Sequence, residues 1–153
     1  MSEITVKVVD WEEWTVIEII RRRVFQEEQK VEVELDFDGK DKACPQLIAY
    51  LNKEAVGTAR IRYLDEKTAK IERLAVLSYA RGKGIGKKIM QKALEVIANE
   101  NIPEVMIHAQ EYIKKLHQQL GFEQVGEVFQ EAGIPHVKMV KRLKVKGQRC
   151  NNY

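Results

Sequence analysis

The sequence predicts an α/β domain built on a mixed central sheet. Three observations lead there. Runs of β-branched residues alternate with amphipathic stretches in the order strand, helix, strands, helix, strand, helix, strands. The 153 residues suit one domain of ordinary size, and neither a repeat nor a linker divides them. Arg81-Gly82-Lys83-Gly84-Ile85-Gly86 joins a strong strand directly to a strong helix.

The first strand is expected at Ile4 to Val9, where β-branched residues alternate loosely. Trp14, Ile17, Ile20, Val24 and Phe25 recur at helical spacing, so residues 11–29 read as a helix with Asp10 as its N-cap and Glu13 three residues on. Residues 29–42 are acidic and contain Asp38-Gly39, which reads as loop. Gln46 to Asn52 and Ala55 to Leu64 form a hairpin turning at Asn52-Lys53-Glu54. Ala69 to Leu77 is the next strand. A helix over Gly84 to Glu100 carries the apolar stripe Ile85, Ile89, Met90, Ala93, Leu94 and Ile97. Glu104 to Ala109 is a strand, and Tyr112 to Leu120 a short helix stopped by Gly121. Val125 to Glu131 and Val137 to Leu143 close the sheet, joined through Gly133-Ile134-Pro135. The segment from Lys144 to Tyr153 lacks apolar periodicity and is expected to fray.

Composition narrows the function. Apolar residues make up 44% and charged residues 32%, a globular balance. The net charge of +3 is too small to argue for nucleic acid or a membrane surface. Cys44 and Cys150 have no partner at metal-ligand spacing, so no metal site is expected. Without a signal-like apolar core or a run of about 20 apolar residues, a soluble protein of the reducing cytoplasm is the expectation. Oligomeric state stays open, a homodimer included.

The chemistry centres on the glycine-rich junction. Gly82, Gly84 and Gly86 let the main chain approach a ligand, and a helix N-terminus follows, where free N–H groups favour an anion. Lys83, Lys87 and Lys88 add positive charge. A pyrophosphate is the natural guest. The Walker pattern fails because Gly86-Lys87 is followed by Lys88 and position 81 is Arg. The dinucleotide pattern fails because position 87 is Lys.

Arg-x-x-Gly-x-Gly instead resembles the coenzyme A pyrophosphate loop of the GNAT acetyltransferase superfamily. Ile71-Glu72-Arg73-Leu74-Ala75-Val76 resembles that family's fourth strand, His108-Ala109-Gln110 the end of its fifth, and Leu120-Gly121-Phe122 the following helix end. Arg22-Arg23-Val24-Phe25 with Glu28-Gln29-Lys30-Val31, and Ala132-Gly133-Ile134-Pro135-His136 with Met139, are similar to the ElaA-like branch. The resemblance spans about Lys7 to Leu143, one domain over residues 1–143. It implies a sheet of six or seven strands with about four helices, its fourth and fifth strands splayed. Acetyl-CoA would be the cosubstrate and an amine-bearing molecule the acceptor. Main-chain groups of Leu74, Ala75 and Val76 would hold the pantetheine arm, and those of Arg81, Gly82, Lys83, Gly84, Ile85 and Gly86 the pyrophosphate. Side chains from Gln110 to His117 would line the thioester end.

Acetyl transfer needs a neutral amine, a stabilised oxyanion and a proton for the leaving thiolate. A lysine-like amine, with a pKa of about 10.4, needs a base or a desolvating site. Glu72 is the first candidate base, because regular alternation puts it on the face of Leu74 and Val76 and some family members carry an acid–base residue there; the competing reading is an ion pair. Glu28, in the acidic segment that borders the acceptor cleft in this family, and His136 are acceptor-side candidates. Against these stand a solvated carboxylate and, for His136, a histidine in the turn built by Gly133 and Pro135. The family's usual proton donor is a Tyr four residues before the Gly of Gly-Phe; here His117 stands there, with Leu116 before it. His117 can keep the role or be a surface histidine. His108 reads as a hydrogen-bonded core residue, Trp11 and Trp14 as helix packing, and Arg21 to Arg23 as a solvated face from which one arginine pairs with Asp36, Asp38 or Asp41. Two alternatives remain: a coenzyme A-binding module or sensor without chemistry, which turnover separates, and a nucleic-acid-associated protein using the C-terminal basic residues, which a steep salt dependence would reveal.

Overall fold

The structure is a computed structural model and describes residues 2–144. The expectation for the tail beyond Lys144 therefore lies outside the described residues.

Seven strands form one sheet in the order β1-β2-β3-β4-β5-β7-β6. They are β1 Ile4–Val9, β2 Gln46–Leu51, β3 Glu54–Tyr63, β4 Thr68–Val76, β5 Glu104–Gln110, β6 Glu123–Glu131 and β7 Ile134–Arg142. The helices are α1 Trp14–Arg21, α2 Val33–Asp36, α3 Ile85–Asn99 and α4 Lys114–Gln119. The β2–β3 hairpin turns on Asn52 and Lys53, with φ of 50° and 73°, the two left-handed residues that a tight hairpin demands.

The helix expected over residues 11–29 changes character on the way. A 3₁₀ turn at Trp11–Glu13 leads into α1, and a π-helical segment, Arg22–Glu28, follows it. Asp10 makes no side-chain capping bond, contrary to expectation; only its carbonyl takes the Glu13 N–H, at 3.0 Å. The loop expected over residues 29–42 holds α2 and a 3₁₀ turn at Asp41–Ala43.

α3 packs on one face of the sheet. Its Ile85, Ile89, Met90, Ala93 and Ile97 are buried against Ala59, Ile61, Ile71, Val105 and Ile107. Each buried isoleucine there stabilises the fold by about 1.5–3 kcal/mol. The approach is close at Gly57, where a Cβ would stand 2.9 Å from Ile89 Cδ1. On the opposite face, Ile20, Val24 and Phe25 pack on Ala75 and Leu77.

Two irregularities mark β4. Only Thr68, Ala69 and Lys70 pair with β5, in parallel with Glu104, Val105 and Met106; beyond them the two strands splay. β4 also carries a bulge. Thr58 pairs with Ala75 and Arg60 with Glu72, so Arg73 and Leu74 share the span opposite Ala59, and Arg73 takes φ 59°. An extra residue in a strand reverses which side later side chains face. Ala69 and Ile71 face α3 before the bulge, and Leu74 and Val76 pack with that same cluster after it. Glu72 therefore lies on the opposite face from Leu74 and Val76, which corrects the expectation drawn from regular alternation.

Candidate active site

A cleft of about 610 Å³ opens where β4 and β5 part. Both faces of the sheet contribute to it. Ile85, Gly86, Ile113, Leu116 and His117 line it on the α3–α4 side, and Gln29, Leu35, Glu72, His108, Gln110 and His136 on the side of α1 and α2. Among the described residues β4 from Ile71 to Val76 has no strand partner on its β5 edge, which leaves main-chain groups there for an extended ligand, Val76 O excepted because it accepts from Arg81.

The glycine-rich junction forms one mouth. Gly82 and Gly84 adopt φ of 78° and 80°, and no atom lies within 4 Å of where their Cβ atoms would be. Gly84 is the N-cap of α3 and offers no side-chain cap. The first-turn amides of a 15-residue helix are thus left to an anion. Arg81 does not hang free. Its Nε donates to Val76 O at 3.0 Å, and both terminal nitrogens grip the Glu28 carboxylate, Nη2 at 2.6 Å. That hydrogen bonding, outweighing slight burial, lowers the Glu28 pKa. Glu28, expected on the acceptor side, is not among the residues that line the cleft and pairs instead with Arg81 of the glycine-rich junction.

Glu72 is buried within a lattice of cations. Arg60 Nε donates to its Oε2 at 2.8 Å, Arg62 Nε and Nη2 to Oε1 at 3.2 and 3.1 Å, and Lys70 Nζ stands 3.4 Å away. Burial pushes its pKa up, but the Arg60 and Arg62 charges and hydrogen bonds outweigh that and hold it at about 2. A carboxylate with both oxygens engaged and so low a pKa is a poor proton acceptor at neutral pH. The lattice continues: Arg60 also binds Asp38 and Asp41, while fully buried Arg21 binds Asp36 and Asp41. Of Arg21 to Arg23, Arg21 is thus the one that pairs with the acidic loop. Arg73 Nε and Nη2 donate to the carbonyls of Asp36 and Leu35, both at 3.1 Å, which stabilises its left-handed backbone.

His117 is 3% exposed, not a surface residue. Its ring meets Phe122 edge-on at 6.0 Å, and its Nδ1 is buried without a hydrogen-bond partner among the described residues. Burial lowers its pKa to about 4, so the ring is neutral near pH 7. Gln110 faces the other side of the sheet, where it exchanges two amide hydrogen bonds with Gln29 at 2.9 and 3.2 Å. His136 lies within β7, not in a turn; the turn is Ala132-Gly133. The ring is buried and lines the cleft. Trp11 and Trp14 stack on each other at 4.7 Å.

Sequence reasoning passed over Arg60, Gln29 and Glu131. An arginine inside the apolar run Val56 to Ile61 is itself a signal, because a buried guanidinium demands carboxylates. Gln29 and Glu131 carry no such mark, since their partners lie 81 and 23 residues away.

The model of the GNAT acetyltransferase domain matches residues 19–143. YyaT of Bacillus subtilis is 35% identical over 127 residues, covering 81% of this chain and 85% of that protein. ElaA of Escherichia coli is 32% identical over 130 residues, covering 81% and 84%. The crystal structure of E. coli ElaA superposes with a TM-score of 0.79 at 28% identity, over 92% of this chain and 99% of that one. A GNAT family acetyltransferase from Elizabethkingia anophelis with acetyl-CoA bound shares the fold, with a TM-score of 0.69 at 18% identity, over 92% and 98% of the two chains.

Proposed function

The chain belongs to the GNAT acetyltransferase family, and from that premise we propose that it transfers the acetyl group of acetyl-CoA to a primary amine by direct attack in a ternary complex. One observation carries the reading: the gap between β4 and β5 opens beside the uncapped N-terminus of α3. A thioester with a diphosphate at the other end of a long, amide-bearing arm suits that combination. The amides from Gly82 to Gly86 take the diphosphate, helped by Lys83, while the Arg81 amide donates to Ser78 O at 3.3 Å. Leu74, Ala75 and Val76 offer the unpaired strand edge to the arm's two amides, as an added strand would be held.

The acetyl group then lies within the sheet, between His117 on one side and the polar face carrying Gln110 and His136 on the other. The amine enters from that polar face. A main-chain N–H of the Val76 region steadies the oxyanion. His117, being neutral, serves the leaving sulfur as a hydrogen-bonding imidazole rather than as an imidazolium acid. Glu72 keeps Arg60, Arg62 and Lys70 in place along the acceptor wall. The free thiol of Cys44 fits a reducing cytoplasmic setting.

The test mixes the protein with acetyl-CoA and a panel of primary amines, free N-terminal peptides and lysine peptides, and follows thiol release. Amine-dependent release supports transfer. Binding of acetyl-CoA with no release above background for any amine favours the coenzyme A-binding module instead.

A further inference from the structure

Among the described residues, nine charged side chains join into one lattice behind the acceptor wall of the cleft. Its carboxylates are Asp36, Asp38, Asp41 and Glu72, and its cations are Arg21, Arg60, Arg62, Lys70 and Arg73. Five cations against four carboxylates leave one positive charge uncompensated within it. That surplus has a place. Arg21 and Arg60 are fully buried and are not among the residues that line the cleft. Arg62, Lys70 and Arg73 do line it, their side chains 30%, 14% and 21% exposed. A cation so sheltered from water and salt attracts an anion more strongly than one on the open surface.

Unused donors belong to the same groups. Arg62 spends Nε and Nη2 on Glu72 Oε1, and its Nη1 makes no hydrogen bond among the described residues. Lys70 Nζ, with three protons to give, has that same oxygen as its described partner, at 3.4 Å. Arg62 and Lys70 are register partners on β3 and β4, and Lys70 is the last residue of β4 that pairs with β5. They stand side by side where the gap closes, at the opposite end of β4 from the glycine-rich junction. Their shared hold on Glu72 fixes both heads before a ligand arrives. The carboxylates that reach the cleft are already engaged: Asp36 by Arg21 and Arg73, Asp38 by Arg60 and Arg73, Glu72 as above, and Glu131 by His108 and His136.

We propose that Arg62 and Lys70 form a subsite for an acidic group, so that the acceptor is a primary amine that also carries a carboxylate or a phosphate. The inference rests on the acetyl-transfer reading and names the chemical class of its acceptor. The acidic end is anchored where the gap closes, and the amine end reaches the thioester. Anchoring remote from the reacting nitrogen orients that nitrogen for attack. Arg73, joined to the pair through Asp38, Arg60 and Glu72, adds to the positive field.

The experiment measures kcat/KM for matched pairs of acceptors: ω-amino carboxylates of two to six carbons against their neutral amides, and 2-aminoethyl phosphate against 2-aminoethanol. Wild type is expected to favour the acidic member of at least one pair by about 10- to 150-fold, the range of a hydrogen bond to a charged group. The pair with the larger ratio tells carboxylate from phosphate. R62Q and K70Q should each bring that ratio toward 1 through the acceptor KM, while acetyl-CoA affinity by calorimetry stays as in wild type. The ratio is taken within one preparation, so a partly unfolded variant does not distort it. R142Q removes an exposed cation outside the cleft and should keep the wild-type ratio. A wild-type ratio within twofold for every pair, or one unchanged in both R62Q and K70Q, overturns the inference and leaves acetyl transfer standing. If no amine reacts, the same acids and amides are titrated by calorimetry into the coenzyme A-loaded protein. Heat from an acid but not from its amide, lost in R62Q, supports the subsite while the transfer reading falls. No acid-dependent heat overturns the subsite. Failure to bind acetyl-CoA overturns both.

Discussion

Arg60 on β3 and Glu72 on β4 are register partners whose side chains meet, Nε to Oε2, at 2.8 Å in the buried wall beside the cleft. E72Q should therefore act first on stability. Leaving buried cations without their counter-charge costs about 3 kcal/mol, read as a lower urea midpoint. With its pKa lowered to about 2 from 4.5, Glu72 stabilises the fold above about pH 4.5, and that contribution fades as pH falls toward 2. In E72Q this part of the acid sensitivity should be missing. A variant as stable as wild type but with turnover abolished would return Glu72 to the role of base.

His117 gives a second, separable pH signature. Its pKa, depressed to about 4 from 6.5 by burial, means that the unfolded chain binds the proton more tightly. The fold's advantage is complete above about pH 6.5 and is lost as pH drops toward 4, by an amount of about 3 kcal/mol. H117F should flatten that slope in urea unfolding between pH 6.5 and 4.5. An unchanged slope would mean that the ring is not buried neutral.

Gly84 separates backbone strain from ligand repulsion. At φ 80° an alanine costs about 1 kcal/mol of stability, yet its Cβ meets nothing. G84A should fold, with a modestly lower melting temperature. G84D sets a carboxylate against the diphosphate and should lose acetyl-CoA affinity more than 100-fold by calorimetry. Equal affinity in G84D and G84A would remove the diphosphate from this turn.

The Glu28–Arg81 pair lies at the glycine-rich junction, where we propose the diphosphate binds, and is partly exposed on both sides. E28Q should raise the KM for acetyl-CoA about 1.5- to 5-fold, the range of an exposed ion pair, and less at high salt. The KM for the amine should not follow. A rise in the amine KM alone would put Glu28 on the acceptor side after all.

Much of this architecture is written locally. Asn52-Lys53 announces the hairpin, Gly84 the helix start, and the 3.6-residue stripe of α3 its buried face. The bulge at Arg73 is not announced, because a non-glycine residue at φ 59° leaves no compositional mark; it is held there by carbonyls from 37 and 38 residues away. Missing it inverted the side on which Glu72 falls. The π-helical turn at Arg22–Glu28 hides likewise, since its apolar positions still fit helical spacing. His108, Glu131 and His136 meet only through the β5–β7–β6 register, which no short window of sequence contains.

A crystal structure of the complex with acetyl-CoA tests the central claim most directly. Diphosphate oxygens are expected within about 3 Å of the main-chain nitrogens between Gly82 and Gly86, with the pantetheine arm lying between β4 and β5 and its thioester carbonyl near Val76. A cofactor seated elsewhere, with the space between the two strands filled by the protein's own side chains, would contradict it.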